Sequence, residues 1–256
     1  MKLNLKKCTF GMREGTFLGY KVNADGLKVC PDKVEAVLSL PSLKCLKDVQ
    51  KLNGKFASLN RFLSKSAKKL LPFFKTLKKC SKKSDFQWIA KAETAFKQMK
   101  KLIAELPMLT APKEKEELIV YLAAVKEAIS VVLMMKRNGK QMPIYFVSRA
   151  LQGPEINYTP MEKLILAIVS ASKRLKQYFL AHTIVVITGQ PIKQILSNPK
   201  VTRRLLKWCF ELEEHDIHYR PRTSVKGKIL ADFIMERLEY DSQDTPIEDK
   251  EELLDP

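Results

Sequence analysis

The chain has 256 residues, and 45% of them are apolar, which is enough for a sizeable hydrophobic core. Its formal net charge of +18 indicates a polyanionic partner such as nucleic acid. Its five cysteines are scattered without a C-x-x-C spacing, which argues against a disulfide framework or a zinc site and favours reduced intracellular thiols. No stretch approaches about 18 apolar residues and the N-terminus lacks a signal-peptide core, so we expect a protein that is not secreted and has no membrane partner.

Residues 1–30 contain two β-rich runs around Asn23-Ala24-Asp25-Gly26. This pattern predicts a β-hairpin, because glycine tolerates the positive φ that tight turns need. The segment is too short to form a domain by itself.

Residues 31–85 have the pattern of a small helical unit. Pro31-Asp32 predicts a helix start and Pro41 a break, after which apolar residues recur at spacings of three and four from Val49 to Phe62. Four phenylalanines could stack on nucleic-acid bases, but at helical spacing we expect them in the core. They are Phe56, Phe62, Phe73 and Phe74.

The helical unit has a basic outer face. Residues 1–85 hold 20 Lys and Arg against 6 Asp and Glu. Such a face can neutralise phosphates and release counterions without reading base sequence, and the alternative is a solvated lysine-rich surface. The candidate nucleic-acid-binding lysines are Lys65, Lys68, Lys69, Lys75, Lys78, Lys79, Lys82 and Lys83.

Residues 86–237 predict a mixed sheet with helices packed on it. A helix ending before Pro107 is followed by three hairpin-connected strands at 118–124, 128–135 and 143–148. A helix after Pro160, a strand in HTIVVIT, helices near 192–196 and 201–214, a strand at 216–221 and a closing helix at 226–237 complete the pattern. This order fits the ribonuclease H architecture, an α+β or α/β fold. Residues 238–256 are acidic and read as a disordered tail or linker.

Several blocks of the sequence resemble the C-terminal part of reverse transcriptases of gypsy-type LTR retrotransposons. KLNLKKCTFGMREGTFLGYKVNADGLKVCPDKVEAVLSLP is similar to the end of the palm with its primer-grip hairpin and the start of the thumb. FASLNRFLSKSAKKLLPFFKTLKK resembles the thumb and connection that follow, and DFQWIAKAETAFKQMKKLIAELPML the lead-in to the ribonuclease H domain. PIYFVSRALQGPEINYTPMEKLILAIV and GKILADFIMER resemble later blocks of that domain. No Y-x-D-D occurs in the chain, so as written it lacks the polymerase carboxylates.

The resemblance implies ribonuclease H chemistry, in which two Mg²⁺ ions held by four carboxylates hydrolyse the RNA strand of an RNA:DNA hybrid. By this resemblance the second carboxylate corresponds to Glu162 and the fourth to Asp232. The first and third, both aspartates in the family, align with Ala123 and Gly189. Without the family, Glu162 would be an acidic residue favoured in the first turn of a helix and Asp232 a solvated helical residue. We therefore expect a degenerate site that binds Mg²⁺ weakly, if at all.

Two further residues lie in blocks that face nucleic acid in related domains. Arg149 could pair with a phosphate and Tyr158 could contact backbone or sugar. The alternative for Arg149 is a solubilising residue on an edge strand.

Three functional hypotheses follow from these observations. The first is a part of a retrotransposon polyprotein whose ribonuclease H-like domain binds and tethers an RNA:DNA hybrid without cutting it, in a cytoplasmic particle or the nucleus, together with the rest of the polyprotein. The second is an active Mg²⁺-dependent ribonuclease H that works as part of an RNA-directed DNA polymerase. The third is a decayed genomic copy without a cellular role.

Overall fold

The computed structural model describes residues 11–43, 45–79, 88, 90–197 and 202–222. The N-terminal elements are strands β1 (Glu14–Phe17), β2 (Tyr20–Asn23) and β3 (Gly26–Val29), then helices α1 (Pro31–Leu38), α2 (Leu46–Leu59), α3 (Ser66–Lys79) and α4 (Ala90–Ala104). The later elements are β4 (Leu118–Val125), β5 (Ala128–Arg137), β6 (Lys140–Ala150), α5 (Pro160–Arg174), α6 (Lys176–Ala181), β7 (Ile184–Ile187), α7 (Ile192–Leu196), α8 (Arg203–Glu213) and β8 (Ile217–Arg220).

The three N-terminal strands form the predicted hairpin and one further strand, paired antiparallel in the order β1-β2-β3. Asn23 Oδ1 accepts hydrogen bonds from the backbone N–H groups of Asp25 and Gly26, both at 3.0 Å, and this closes the turn. Gly26 has φ +151°, and a Cβ there would lie 2.1 Å from the carbonyl oxygen of Leu109. Only glycine therefore allows β3 to pair with the chain at Leu109.

The helical unit is confirmed, and its apolar stripe faces inward. In α2 the residues at spacings of three and four are buried: Val49, Leu52, Phe56 and Leu59. Phe56, Phe62 and Phe73 are fully buried, which confirms that they are core residues, whereas the side chain of Phe74 lies outside the described residues.

The larger sheet has five strands in the order β6-β5-β4-β7-β8. Strands β4, β5 and β6 are antiparallel neighbours, while β7 runs parallel to both β4 and β8. The three predicted hairpin strands are present, but β6 begins at Lys140 rather than 143. The reason is a tight turn at Asn138-Gly139, where φ is +48° and +77°, which extends the β5–β6 ladder into a polar sequence.

Each face of this sheet is covered by helices. On one face, Leu118, Val120 and Leu122 of β4 pack in a core with α5 and α8. On the other face, Tyr121 and Ala123 of the same strand share a second core with residues of α2, α3 and α4. Alternation along a strand produces this division, because successive side chains point to opposite faces.

The helical unit and the sheet therefore share one buried core. Phe73 of α3 and Phe96 of α4 belong to the same cluster as Val132, Met134 and Phe146 of the sheet. A boundary between domains 31–85 and 86–237 remains a prediction, as does that between 1–30 and the helical unit. The predicted helix 226–237 and the tail 238–256 lie outside the described residues. Among the helices that the structure describes, none has the length and apolar character to cross a bilayer.

Candidate degenerate nuclease site

The two positions aligned with family aspartates lie at the same end of the sheet. Ala123 is near the carboxyl end of β4, and Gly189 follows β7 by two residues. These strands pair in parallel up to Tyr121 opposite Ile187, so their carboxyl ends meet at one edge. Neither position carries an oxygen ligand, and nothing lies within 4 Å of a Cβ built on Gly189.

Ala123 lies beneath the helical unit rather than at an open surface. It is 4% exposed and belongs to the core that contains Phe73 and Phe96. Its cross-strand partner is Ser130 of β5. An alanine at this position contributes a methyl group to an apolar core, where an aspartate would bury a charge.

Helix α3 is attached to this end of the sheet by polar contacts. Ser130 Oγ and Ser148 Oγ lie 2.8 Å apart, and Ser148 Oγ accepts a 3.0 Å hydrogen bond from the backbone N–H of Ala67 at the start of α3. Further along the helix, Lys75 Nζ forms a 2.7 Å ion pair with Glu127 in the β4–β5 turn. These contacts hold α3 over the strand ends beside Ala123.

Glu162 is in the first turn of α5, where it forms a capping box with Thr159. Thr159 Oγ1 accepts a 3.2 Å hydrogen bond from the Glu162 N–H, and Glu162 Oε2 accepts a 3.0 Å bond from the Thr159 N–H. The other oxygen, Oε1, is ion-paired with the guanidinium of Arg204 on α8. Both carboxylate oxygens of Glu162 are thus engaged within the protein.

The pKa of Glu162 reflects this environment. Burial alone would raise it, but the hydrogen bonds from Arg204 and from the Thr159 backbone outweigh burial, and the net effect lowers the pKa below its ordinary value. The Glu162 side chain is only 14% exposed, so its charge is balanced chiefly by Arg204. Arg204 thus neutralises the carboxylate of Glu162, as a bound divalent cation neutralises a metal-ligating carboxylate.

We expect Glu162→Gln to lower the free energy of unfolding by about 1 kcal/mol at pH 7, because the charge-assisted hydrogen bonds of a partly buried carboxylate with exposed Arg204 and with the Thr159 backbone are weakened. The depressed pKa stabilises the fold above the unfolded-state value near 4.5, and this contribution is lost as pH falls through the folded-state pKa. The deficit of the variant should therefore shrink between pH 5 and pH 3. Urea unfolding across this range measures it, with the exposed Glu114→Gln as a control, and a pH-independent deficit would contradict the assignment.

Lys163, the neighbour of Glu162, points toward the end of β4. It is 4% exposed, and its Nζ donates a 3.0 Å hydrogen bond to the carbonyl oxygen of Lys126 in the β4–β5 turn. Burial lowers its pKa, with a smaller contribution from the charge of Lys126. Its ammonium group is thus held at the β4–β5 turn, on the face of the sheet that α5 covers.

The two other candidate contacts to nucleic acid are engaged internally. The Arg204 guanidinium lies 3.9 Å from the centre of the Tyr158 ring, and Tyr158 in turn packs against Trp208 at 6.0 Å. The Arg149 guanidinium forms a 2.9 Å ion pair with Glu155. Their contacts to nucleic acid remain predictions.

The candidate lysines differ in exposure. Lys65, in the turn before α3, is 3% exposed, which removes it from the basic surface. Lys68 and Lys69 are half-buried on α3, and Lys75 is exposed. The side chains of Lys78 and Lys79, and all of Lys82, Lys83 and Asp232, lie outside the described residues.

The described residues do not fit a two-magnesium site. Within ranges 11–43, 45–79, 90–197 and 202–222, no three His, Cys, Asp or Glu side chains come together to hold a metal ion. Positions 123 and 189 supply no side-chain oxygen, and Glu162 is engaged with Thr159 and Arg204. Asp232, the other candidate carboxylate, lies outside the described residues.

Comparison with known proteins places residues 88–186 in the family described as an RNase H-like domain found in reverse transcriptase. The Pol polyprotein of transposon 297 from Drosophila melanogaster is 33% identical over 231 residues, which cover 89% of this chain and 21% of the relative. That of transposon opus is 30% identical, covering 91% of this chain and 24% of the relative. The Tf2-3 polyprotein of Schizosaccharomyces pombe is 24% identical, with coverage of 86% and 17%.

Two solved structures have a fold similar to that of this chain. The foamy viral protease-reverse transcriptase in complex with an RNA/DNA hybrid has a TM-score of 0.72 at 19% identity, over 98% of this chain and 33% of that one. The same viral protein with double-stranded DNA has a TM-score of 0.70 at 18% identity, over 85% of this chain and 46% of that one. The chain spans less than a quarter of the length of the polyproteins just named. It contains an RNase H-like domain of the reverse-transcriptase type and is homologous to part of the Pol polyproteins of gypsy-type retrotransposons.

Proposed function

We propose that this part of a retrotransposon Pol polyprotein holds an RNA:DNA hybrid without cutting it. Its RNase H-like domain is a catalytically degenerate scaffold that tethers nucleic acid for the rest of the polyprotein, inside a particle or the nucleus. The observation that carries the proposal is that Ala123 and Gly189, at the ends of neighbouring strands, have no side-chain oxygen that could bind a metal ion.

Charge balance supports the loss of hydrolysis. Two Mg²⁺ ions need several converging carboxylates, and losing two of four removes about half of the negative charge that offsets them. Water can fill a coordination position on Mg²⁺, but it supplies neither the charge nor the fixed geometry that catalysis requires. The ion pair of Glu162 with Arg204 supports the same conclusion, because it neutralises the remaining described carboxylate without a metal.

Two observations support hybrid binding. The helical unit presents lysines on α3, with Lys68 and Lys69 at the rim of a groove and Lys75 exposed nearby. The foamy viral proteins of the same fold were solved with an RNA/DNA hybrid and with double-stranded DNA. By this proposal the present chain binds such duplexes chiefly through their phosphates, independently of base sequence.

We expect the affinity for an RNA:DNA hybrid to fall steeply with salt, because each lysine on a phosphate releases a counterion. Lys68→Gln together with Lys75→Gln should weaken binding and reduce the slope of log K against log salt by between about 1 and 2, because Lys75 is already paired with Glu127 in the free chain. Fluorescence anisotropy of a labelled hybrid at several salt concentrations measures both quantities.

Lys136→Gln with Lys140→Gln is the matched control, since both lysines are exposed and lie at the opposite end of the sheet, around the β5–β6 turn. Equal slopes for the two double variants, or a flat profile for the original chain, would contradict binding through α3.

A further inference from the structure

The groove between α3 and α4 has a volume of about 590 Å³ and combines an apolar floor with a cationic rim. Pro72 and Leu102 contribute the apolar surface, Leu102 is 38% exposed, and Met99 lies buried beneath them. Lys68 and Lys69 of α3 and Lys101 of α4 line the groove on its two sides. A ligand for this groove should carry negative charges flanking a short apolar segment.

The chain itself contains a segment with this chemistry. Residues 238–256 hold eight Asp and Glu against a single lysine. Near their end, Leu253 and Leu254 are preceded by Glu251 and Glu252 and followed by Asp255. The alternation of acidic, apolar and acidic residues matches the lysine rim and apolar floor of the groove.

Distance does not prevent an intramolecular contact. The described part of the chain ends at Arg222, and the residues from there to Glu251 can span at most about 100 Å. A compact chain of this length has a diameter of roughly 45 Å. The acidic segment can therefore reach any part of the surface.

We propose that the acidic segment 238–256 docks in the groove between α3 and α4. Leu253 and Leu254 lie on the apolar floor, while the adjoining carboxylates pair with Lys68 and Lys101. Because Lys68 also belongs to the basic surface of α3, the docked segment competes with nucleic acid and weakens its binding. The evidence for docking is the match between the lining of the groove and the composition of the segment. The competition with nucleic acid rests in addition on the proposed function.

Zero-length cross-linking of carboxylates to amines in the full chain tests the docking. We expect mass spectrometry to find Glu251 and Glu252 joined to Lys68 and Lys101, and these products should disappear at about 1 M salt, where charges are screened beyond roughly 3 Å. Leu253→Ser with Leu254→Ser leaves every cross-linking group in place and removes the apolar contact, so it should reduce these products strongly. Cross-links to Lys136 and Lys140 as frequent as those to Lys68 and Lys101 would overturn the docking.

Hybrid binding tests the competition. Neutralising the segment by Glu251→Gln, Glu252→Gln and Asp255→Asn should tighten hybrid binding by about threefold to tenfold, as expected when a weakly bound tethered competitor at millimolar effective concentration is removed. An unchanged affinity would overturn the competition. Absence of hybrid binding in every variant would contradict the proposed function instead, while the cross-links would still decide the docking.

Discussion

Ala123→Asp is expected to lower the free energy of unfolding by about 3 kcal/mol or more. Ala123 is 4% exposed in a core with Phe73 and Phe96, so the substitution buries a carboxylate among apolar groups. Nearby, the buried ammonium of Lys163 already donates to the Lys126 carbonyl oxygen and belongs to the helix on the other face of the sheet. The new charge would therefore lack a partner. Urea unfolding at pH 7 measures the effect.

Gly189→Asp is the matched control, because it adds the same side chain at the same end of the sheet but in an exposed position with nothing within 4 Å of its Cβ. We expect it to change stability by less than about 0.5 kcal/mol. Equal effects of the two substitutions would show that position 123 is open to solvent. A double variant whose stability is restored by Mg²⁺ would likewise contradict a sealed site.

Phe73→Ala should have a still larger effect and should destabilise the sheet together with the helices. Phe73 is fully buried, lies 6.0 Å from Phe56 and stacks on Trp88 at 5.9 Å. Truncation of such a ring costs about 3–5 kcal/mol. Because α3 shares its core with Phe146 and other residues of the sheet, we expect a single unfolding transition shifted to lower urea.

Phe210→Ala on α8 provides the comparison, since Phe210 is 62% exposed and its loss should be nearly neutral. Near-ultraviolet and far-ultraviolet circular dichroism together follow the transition. Two separate transitions, of which only one responds to Phe73→Ala, would show that helices and sheet fold independently.

The spacing of apolar residues along the sequence predicted most of the helices and strands that the structure describes. The inward stripe of α2 follows from apolar spacing of three and four, and strands β4 and β5 follow from apolar runs interrupted at Lys126-Glu127. The start of β6 was missed because Lys140 and Gln141 carry no apolar signal, and the glycine turn alone marks the strand.

The environment of the site could not be predicted in the same way. Arg204 and Glu162 are 42 residues apart, and the Ala67 N–H and Ser148 are 81 apart, so no spacing connects them. The burial of Lys65 has the same origin, since its turn is covered only when α3 packs on the sheet. Arg204 does follow Thr202, a helix N-cap that sequence can suggest, but its partner depends on how α5 and α8 pack.

Under the proposed function, these contacts allow an RNase H-like scaffold to be stable without metal ions. Ala123 packs in an apolar core, Gly189 has open space around its Cα, and Arg204 neutralises the carboxylate of Glu162. By the same proposal, the phosphate contacts lie on side chains outside this site.

The most direct test is incubation of the purified full chain with an RNA:DNA hybrid labelled on its RNA strand, with hybrid binding and RNA length measured in the same Mg²⁺-containing samples. We expect the hybrid to be bound while the RNA stays at full length, in the original chain and in Glu162→Gln alike. Shortened RNA products that require Mg²⁺ and are lost in Glu162→Gln would contradict a scaffold that binds without cutting.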